Sequence, residues 1–150
     1  MGQSLATIYL HIVFSTLRGQ PFIDEPIRER LFRFIGKLCH DYSCQPVAIG
    51  GYRDHIHILC RFSKKITLIT FMEKVKLKSS KWAKTQGKQY QNFYWQDGYA
   101  AFSINHRQVK QLVKIINCQP EYHQHKNLSD ELNELDKVHN LGFDPSFFLR

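Results

Sequence analysis

The sequence predicts an α+β fold: a ferredoxin-like antiparallel sheet with helices on one face, plus further helices at the C-terminal end. Leu5–Thr16 alternates apolar side chains between two faces, and Asp54–Cys60 is an apolar, β-branched run, as strands do. Ile27, Leu31, Phe34, Ile35 and Leu38 recur three and four residues apart, as do Leu68, Phe71, Met72 and Val75, the stripe of a helix buried on one side. The resulting order, strand, helix, strand, strand, helix, strand, is that of a ferredoxin-like unit.

Each element has a local justification. In the first strand Ile8, Leu10, Ile12 and Phe14 share one face, and Tyr9, His11 and Val13 the other. Asp24 or Glu25 caps the first helix, with Pro26 in its first turn, and the helix runs to about Tyr42. Gln45–Ile49 reads as the second strand, and Gly50-Gly51 as the tight connection into the third. Thr67 caps a helix running to about Lys84, with Leu77 also offered to the core and Lys74, Lys78 and Lys81 on another face. Phe93–Ile104 returns to strand composition, broken at Asp97-Gly98. Asn105 or Ser103 caps a third helix, Pro120 interrupts it, and a fourth runs from Ser129 to Asn140 and stops at Gly142.

With 150 residues, 43% of them hydrophobic, the chain suffices for one domain over residues 1–150. It contains neither a membrane-length apolar run nor a signal-peptide pattern, so a cytoplasmic protein is expected. Cys39, Cys44, Cys60 and Cys118 form no Cys-x-x-Cys pair and read as reduced thiols, with Cys60 as packing. Lysine and arginine number 21 against 13 acids, a net charge of +8, and Lys64 to Lys88 holds eight lysines and one acid. That concentration suits a polyanion; the plainer reading is a solvated helical face.

The most informative segment is Asp54-His55-Ile56-His57-Ile58-Leu59-Cys60. In a strand His55 and His57 face the same way, so their imidazoles can share an ion. On its own, histidine-apolar-histidine is a weak pattern.

Other segments sharpen it: His11-Ile12-Val13-Phe14-Ser15-Thr16, Gly50-Gly51 leading into the histidine strand, Lys78-Ser79-Ser80-Lys81-Trp82, Trp95-Gln96-Asp97-Gly98-Tyr99-Ala100-Ala101-Phe102-Ser103 and Asn117-Cys118-Gln119-Pro120-Glu121-Tyr122-His123. In this order they resemble the HUH single-tyrosine transposases, which move small bacterial insertion sequences as single-stranded DNA, and their domesticated relatives. The resemblance implies a homodimer that binds single-stranded or hairpin DNA, with the last helices helping to build each site. It implies that His55, His57 and Gln119 hold a divalent ion, Mg2+ or Mn2+, on the scissile phosphate. It also implies a tyrosine one helical turn before that glutamine, which attacks phosphorus; the phosphotyrosine conserves the bond energy for rejoining.

At that position this chain has Ile115. Val109, Leu112, Val113 and Ile116 fix the core side of the helix, and at ~100° per residue Ile115 and Gln119 fall together on its flank. No tyrosine lies between Tyr99 and Tyr122, so a shifted alignment does not supply one. Tyr122 is the only local substitute nucleophile, its direction left open by Pro120; an aromatic packing or DNA-contact role competes. His123 and His125 form a second pair that could complete a four-histidine zinc site, or be surface histidines. His11 reads as structural.

For DNA contacts the candidates are Arg18, Arg53, Lys74, Lys78 and Lys81, with Trp95 as a stacking surface. Trp82, Tyr94 and Tyr99 are weaker, Trp82 fitting the core as well. The expected function is a transposase-family, metal-assisted DNA-binding protein whose strand cleavage is in question because of Ile115. A non-enzymatic nucleic-acid regulator is the alternative, and a nuclease that activates water on the same ion is a third.

Overall fold

The computed structural model describes residues 2–124 and 126–139. Strands Tyr9–Ser15 (β1), Gln45–Gly51 (β2), His55–Arg61 (β3) and Ala100–Ile104 (β4) form one antiparallel sheet in the order β2-β3-β1-β4. The two middle strands pair from Tyr9 opposite Arg61 to Ser15 opposite His55. Their side chains are almost all buried because both faces are covered.

One face carries Ile12, Phe14, Ile56, Ile58 and Cys60, packed under Glu25–Asp41 (α1) and Leu68–Lys84 (α2). Asp24 caps α1 by accepting from Ile27 N–H, and Thr67 caps α2 by accepting from Thr70 N–H. Phe71, Met72, Val75, Ser79 and Ala83 form the buried side of α2. Leu77 points outward at 52% exposure, against expectation; five residues after Met72, it has rotated past the edge of the apolar stripe.

The opposite face carries His11, Val13, His55, His57 and Leu59. Val109–Asn117 (α3) covers part of it, with Ile116 against Leu59 and Ala48, and Val109, Leu112 and Val113 beside them. A single turn, Gln119–Tyr122 (α4), and Leu128–His139 (α5) cover the rest, with Leu128 and Leu132 buried. Asn105 caps the entry to α3 through a one-turn 3-10 helix, in a reciprocal bond with Gln108. The expected end of the last helix at Asn140 and Gly142 lies outside the described residues, as does His125.

Three boundaries differ from expectation. β1 starts at Tyr9, because its partners end at Arg61 and Ile104, and Leu5 is 99% exposed. Segment 93–99 is irregular, with only Trp95 bridging to Thr16 before β4 begins. Gly50 and Gly51 are the last residues of β2, paired with His57 and Ile56, and the connection is Tyr52-Arg53-Asp54. A Cβ on Gly50 would lie 2.2 Å from the backbone oxygen of Ile116, so this glycine admits α3 to the sheet. The three cysteines at positions 39, 44 and 60 are buried free thiols, and Cys118 is exposed.

Candidate metal centre and nucleic-acid interface

His55 and His57 point together into the layer between the sheet and α3 to α5, both buried. The His55 ring is oriented by Asp54, whose Oδ1 is 2.7 Å from Nδ1. A carboxylate there draws the proton to Nδ1 and leaves Nε2 with a lone pair. That Nε2 lies 2.9 Å from Gln119 Oε1. A proton or a cation between these two atoms satisfies both. His57 is oriented from behind by His11, whose Nε2 lies 2.8 Å from His57 Nδ1, leaving His57 Nε2 turned to the same place. Burial, then the neighbouring His57, holds the His11 pKa down at about 3, consistent with its structural reading. Burial also lowers the pKa of His57, although Glu131 opposes it.

Gln119 is fully buried at the start of α4, one turn after Ile115. Its Nε2 donates to Ile115 O and to Glu131 Oε2, both at 3.2 Å, so the amide is oriented with Oε1 toward His55. His123 completes the orientation, its Nε2 donating to Gln119 Oε1 at 2.8 Å and its Nδ1 to Lys126 O at 2.7 Å. Both ring nitrogens thus donate: burial lowers the His123 pKa, but Glu131 and the Lys126 carbonyl outweigh it and raise it overall. His123 therefore belongs to the site and is not one of a pair of surface histidines.

Sequence reasoning missed Glu131. It stands on α5 at 5% exposure, with Oε1 2.5 Å from His57 Nε2 and Oε2 3.4 Å from His123 Nε2. Burial would raise its pKa, but His57 and His123 prevail and keep it ionised. The signal is present: Leu128, Glu131, Leu132 and Leu135 are spaced to share a helix face, which places a carboxylate inside an apolar stripe. Ligand atoms of His55, His57 and Glu131 all lie within 4.8 Å of one another. His57 Nε2 and Glu131 Oε1 are both buried without an aligned hydrogen-bond partner. Imidazole, amide oxygen and carboxylate together suit a divalent cation.

Tyr122 is placed differently. Its hydroxyl donates to Glu134 Oε2 at 2.9 Å, and Lys126 pairs with the same carboxylate. Burial, then the bond to Glu134 and the charges of Glu131, Glu134 and Asp130, raises the phenol pKa, the opposite of what activates a nucleophile. Ile115 is 42% exposed.

A cleft of about 510 Å³ beside the site is lined by Gly19, Tyr52, Arg53, Asp54, His123 and Lys126, among others. Arg53 is exposed and lies over the Tyr52 ring, which stacks on His123. Arg18 is exposed next to Gly19, and its backbone N–H donates to Gln96 Oε1. Lys74, Lys78 and Lys81 are exposed on α2, across the sheet from the histidines. Trp95 is buried against Phe14 and Phe93, its indole N–H donating to Ser79 Oγ at 2.9 Å, so its ring faces are occupied by protein. Trp82 stacks on Phe34. Two of the eight lysines tie down segment 93–99: Lys76 donates to Gln96 O and Gly98 O, and Lys84 to Phe93 O.

Among the described residues no helix is long and apolar enough to cross a membrane. No protein of curated function matches the chain. Among solved structures, a provisionally assigned transposase from Deinococcus radiodurans R1 superimposes with a TM-score of 0.62 at 14% identity, over 79% of this chain and 96% of the other. A REP-associated tyrosine transposase bound to a REP hairpin superimposes with a TM-score of 0.57 at 15% identity, over 82% of this chain and 74% of the other. These likenesses are of fold. The sequence itself matches the IS200-like transposase family model over residues 4–119, from before β1 to the glutamine that faces His55. On that match the chain belongs to the IS200-like transposases.

Proposed function

We propose that the protein binds single-stranded or hairpin DNA through a divalent-ion centre on His55, His57 and Gln119, and that it forms no phosphotyrosine. The observation that carries this reading is the convergence of His55 Nε2, His57 Nε2 and Gln119 Oε1 in one buried place, while Ile115 stands one turn before the glutamine. When bound, a divalent ion, Mg2+ or Mn2+, supplies positive charge against the phosphate oxygens. Asp54 and His11 hold the two imidazoles in the orientation that presents Nε2. His123 holds the glutamine oxygen in place, and Arg53 and Lys126 line the cleft through which a phosphate would approach. Arg18 extends that basic rim. Lys74, Lys78 and Lys81, on the far side of the sheet, are assigned no part at the ion, and Trp95 none in stacking. A homodimer acting in the cytoplasm accompanies this reading by family resemblance.

The test is incubation of labelled hairpin DNA with protein and Mn2+, followed by native and denaturing electrophoresis. The expected result is a complex in the native gel that weakens with EDTA and with His57→Ala, and intact, unlinked DNA after denaturation. A protein-linked band that disappears with Tyr122→Phe would overturn the proposal in favour of strand transfer by a relocated tyrosine. Cut DNA without a linked band would mean that the site activates water.

A further inference from the structure

α5 carries a carboxylate into the core. Leu128 and Leu132, its neighbours on the helix face, are buried, and Glu131 enters with them. An ionised carboxylate there costs several kcal/mol to desolvate unless it is compensated. The polar groups that meet it are His57, His123 and the Gln119 amide. Of these, His123 and Gln119 face Oε2, the latter by a hydrogen bond at 3.2 Å. Oε1 faces His57 Nε2 at 2.5 Å, and neither of those two atoms has an aligned hydrogen bond. This ion pair is out of hydrogen-bond alignment, so the lone pairs of both atoms remain available to a shared ion once they separate to about 3 Å, the spacing of neighbouring ligands.

We infer that Glu131 is a direct ligand of the divalent ion, delivered by α5 to complete the set made by His55, His57 and Gln119. The inference rests on the reading of this place as a divalent-ion centre. The spacing is suitable: ligand bonds of roughly 2.0–2.2 Å put neighbouring ligand atoms about 3 Å apart, and the ligand atoms of His55, His57 and Glu131 already lie within 4.8 Å of each other. Its carboxylate offsets one positive charge of the ion, which the neutral imidazoles and amide do not. Two imidazoles with a carboxylate also favour first-row transition ions, Mn2+ and those after it, over Mg2+, which prefers oxygen and retains water.

The rival account is that Glu131 only anchors α5 by accepting hydrogen bonds. Glu131→Gln separates the two, because glutamine still accepts a hydrogen bond but brings no negative charge to the ion. Co2+ is titrated into the full chain, with binding followed by calorimetry and visible absorption. Wild type is expected to take one Co2+ per chain. Glu131→Gln should weaken binding by at least about 100-fold, the upper end of what losing an outer partner costs, and should change the visible spectrum. Affinity and spectrum unchanged in Glu131→Gln, while His57→Ala abolishes binding, would overturn the inference and leave the ion centre standing. No Co2+ uptake by wild type would overturn both. If circular dichroism shows that Glu131→Gln does not fold, infrared difference spectra of wild type decide: a carboxylate band that shifts on Co2+ addition supports ligation, and an unmoved band overturns it.

Discussion

Gly50 has a cost attached to any side chain. A methyl group there would meet the Ile116 carbonyl at 2.2 Å and its Cγ2 at 2.8 Å, and neither backbone can retreat without moving α3. Gly50→Ala is expected to lower stability by about 1–3 kcal/mol, as other overpacked positions do, measured by urea unfolding. It should also weaken ion binding, because Gln119 follows directly from α3. The sequence offers Gly50-Gly51 as a turn, and only the packed helix reveals the actual reason for the glycine. Tyr90 provides a pH-dependent contact. Burial, then its hydrogen bond to Asp24 Oδ1 at 2.6 Å, pushes the phenol up to about 12. The unfolded phenol titrates near 10, so this contribution is whole below that pH and is lost as pH rises through the folded value. Melting temperatures from pH 9 to 12 should therefore fall more steeply in wild type than in Tyr90→Phe.

At the scale of elements, periodicity makes α1 and α2 legible nearly to the residue, since Asp24 and Thr67 cap them and their stripes are long. The segment before β4 is harder to read, because its strand composition is held in irregular form by Lys76 and Lys84 reaching its carbonyls from α2. The last helix is legible as a helix, and the spacing of Leu128, Glu131, Leu132 and Leu135 puts one acid in its apolar stripe, but which groups that acid meets is settled only by packing, where the burial of Leu128 and Leu132 turns Glu131 inward. Leu132→Ala tests that anchorage. Removing a buried leucine costs about 2–5 kcal/mol when the surroundings hold together, but a helix at the end of the fold can undock on its own for less. Hydrogen exchange should therefore quicken across α5, while amides of β1 and β3 keep their wild-type protection.

The whole molecule has two separate surfaces. The histidine centre and its cleft lie under α3 to α5, and the lysine face of α2 lies across the sheet. From the sequence alone both look like parts of one DNA interface, because charge and motif carry no information about which side of a sheet they will occupy. Replacing Lys74, Lys78 and Lys81 together by glutamine is expected to leave the salt dependence of hairpin binding nearly unchanged. Removing a single cation that neutralises a phosphate reduces the logarithmic slope by about 0.7–0.9, so Arg53→Gln should register a change that the triple variant does not.

The donor residues also follow an order along the chain. Both histidines are present once β3 is made, and the sheet closes with Ile104, whereas Gln119 and Glu131 come later. During synthesis on the ribosome, the four strands can therefore assemble before the coordination shell exists. On the proposed reading, metal loading becomes a late event, presented to an already folded sheet, and a nascent chain halted once β4 has cleared the exit tunnel, with Gln119 and Glu131 still inside it, should form its strands yet retain no ion.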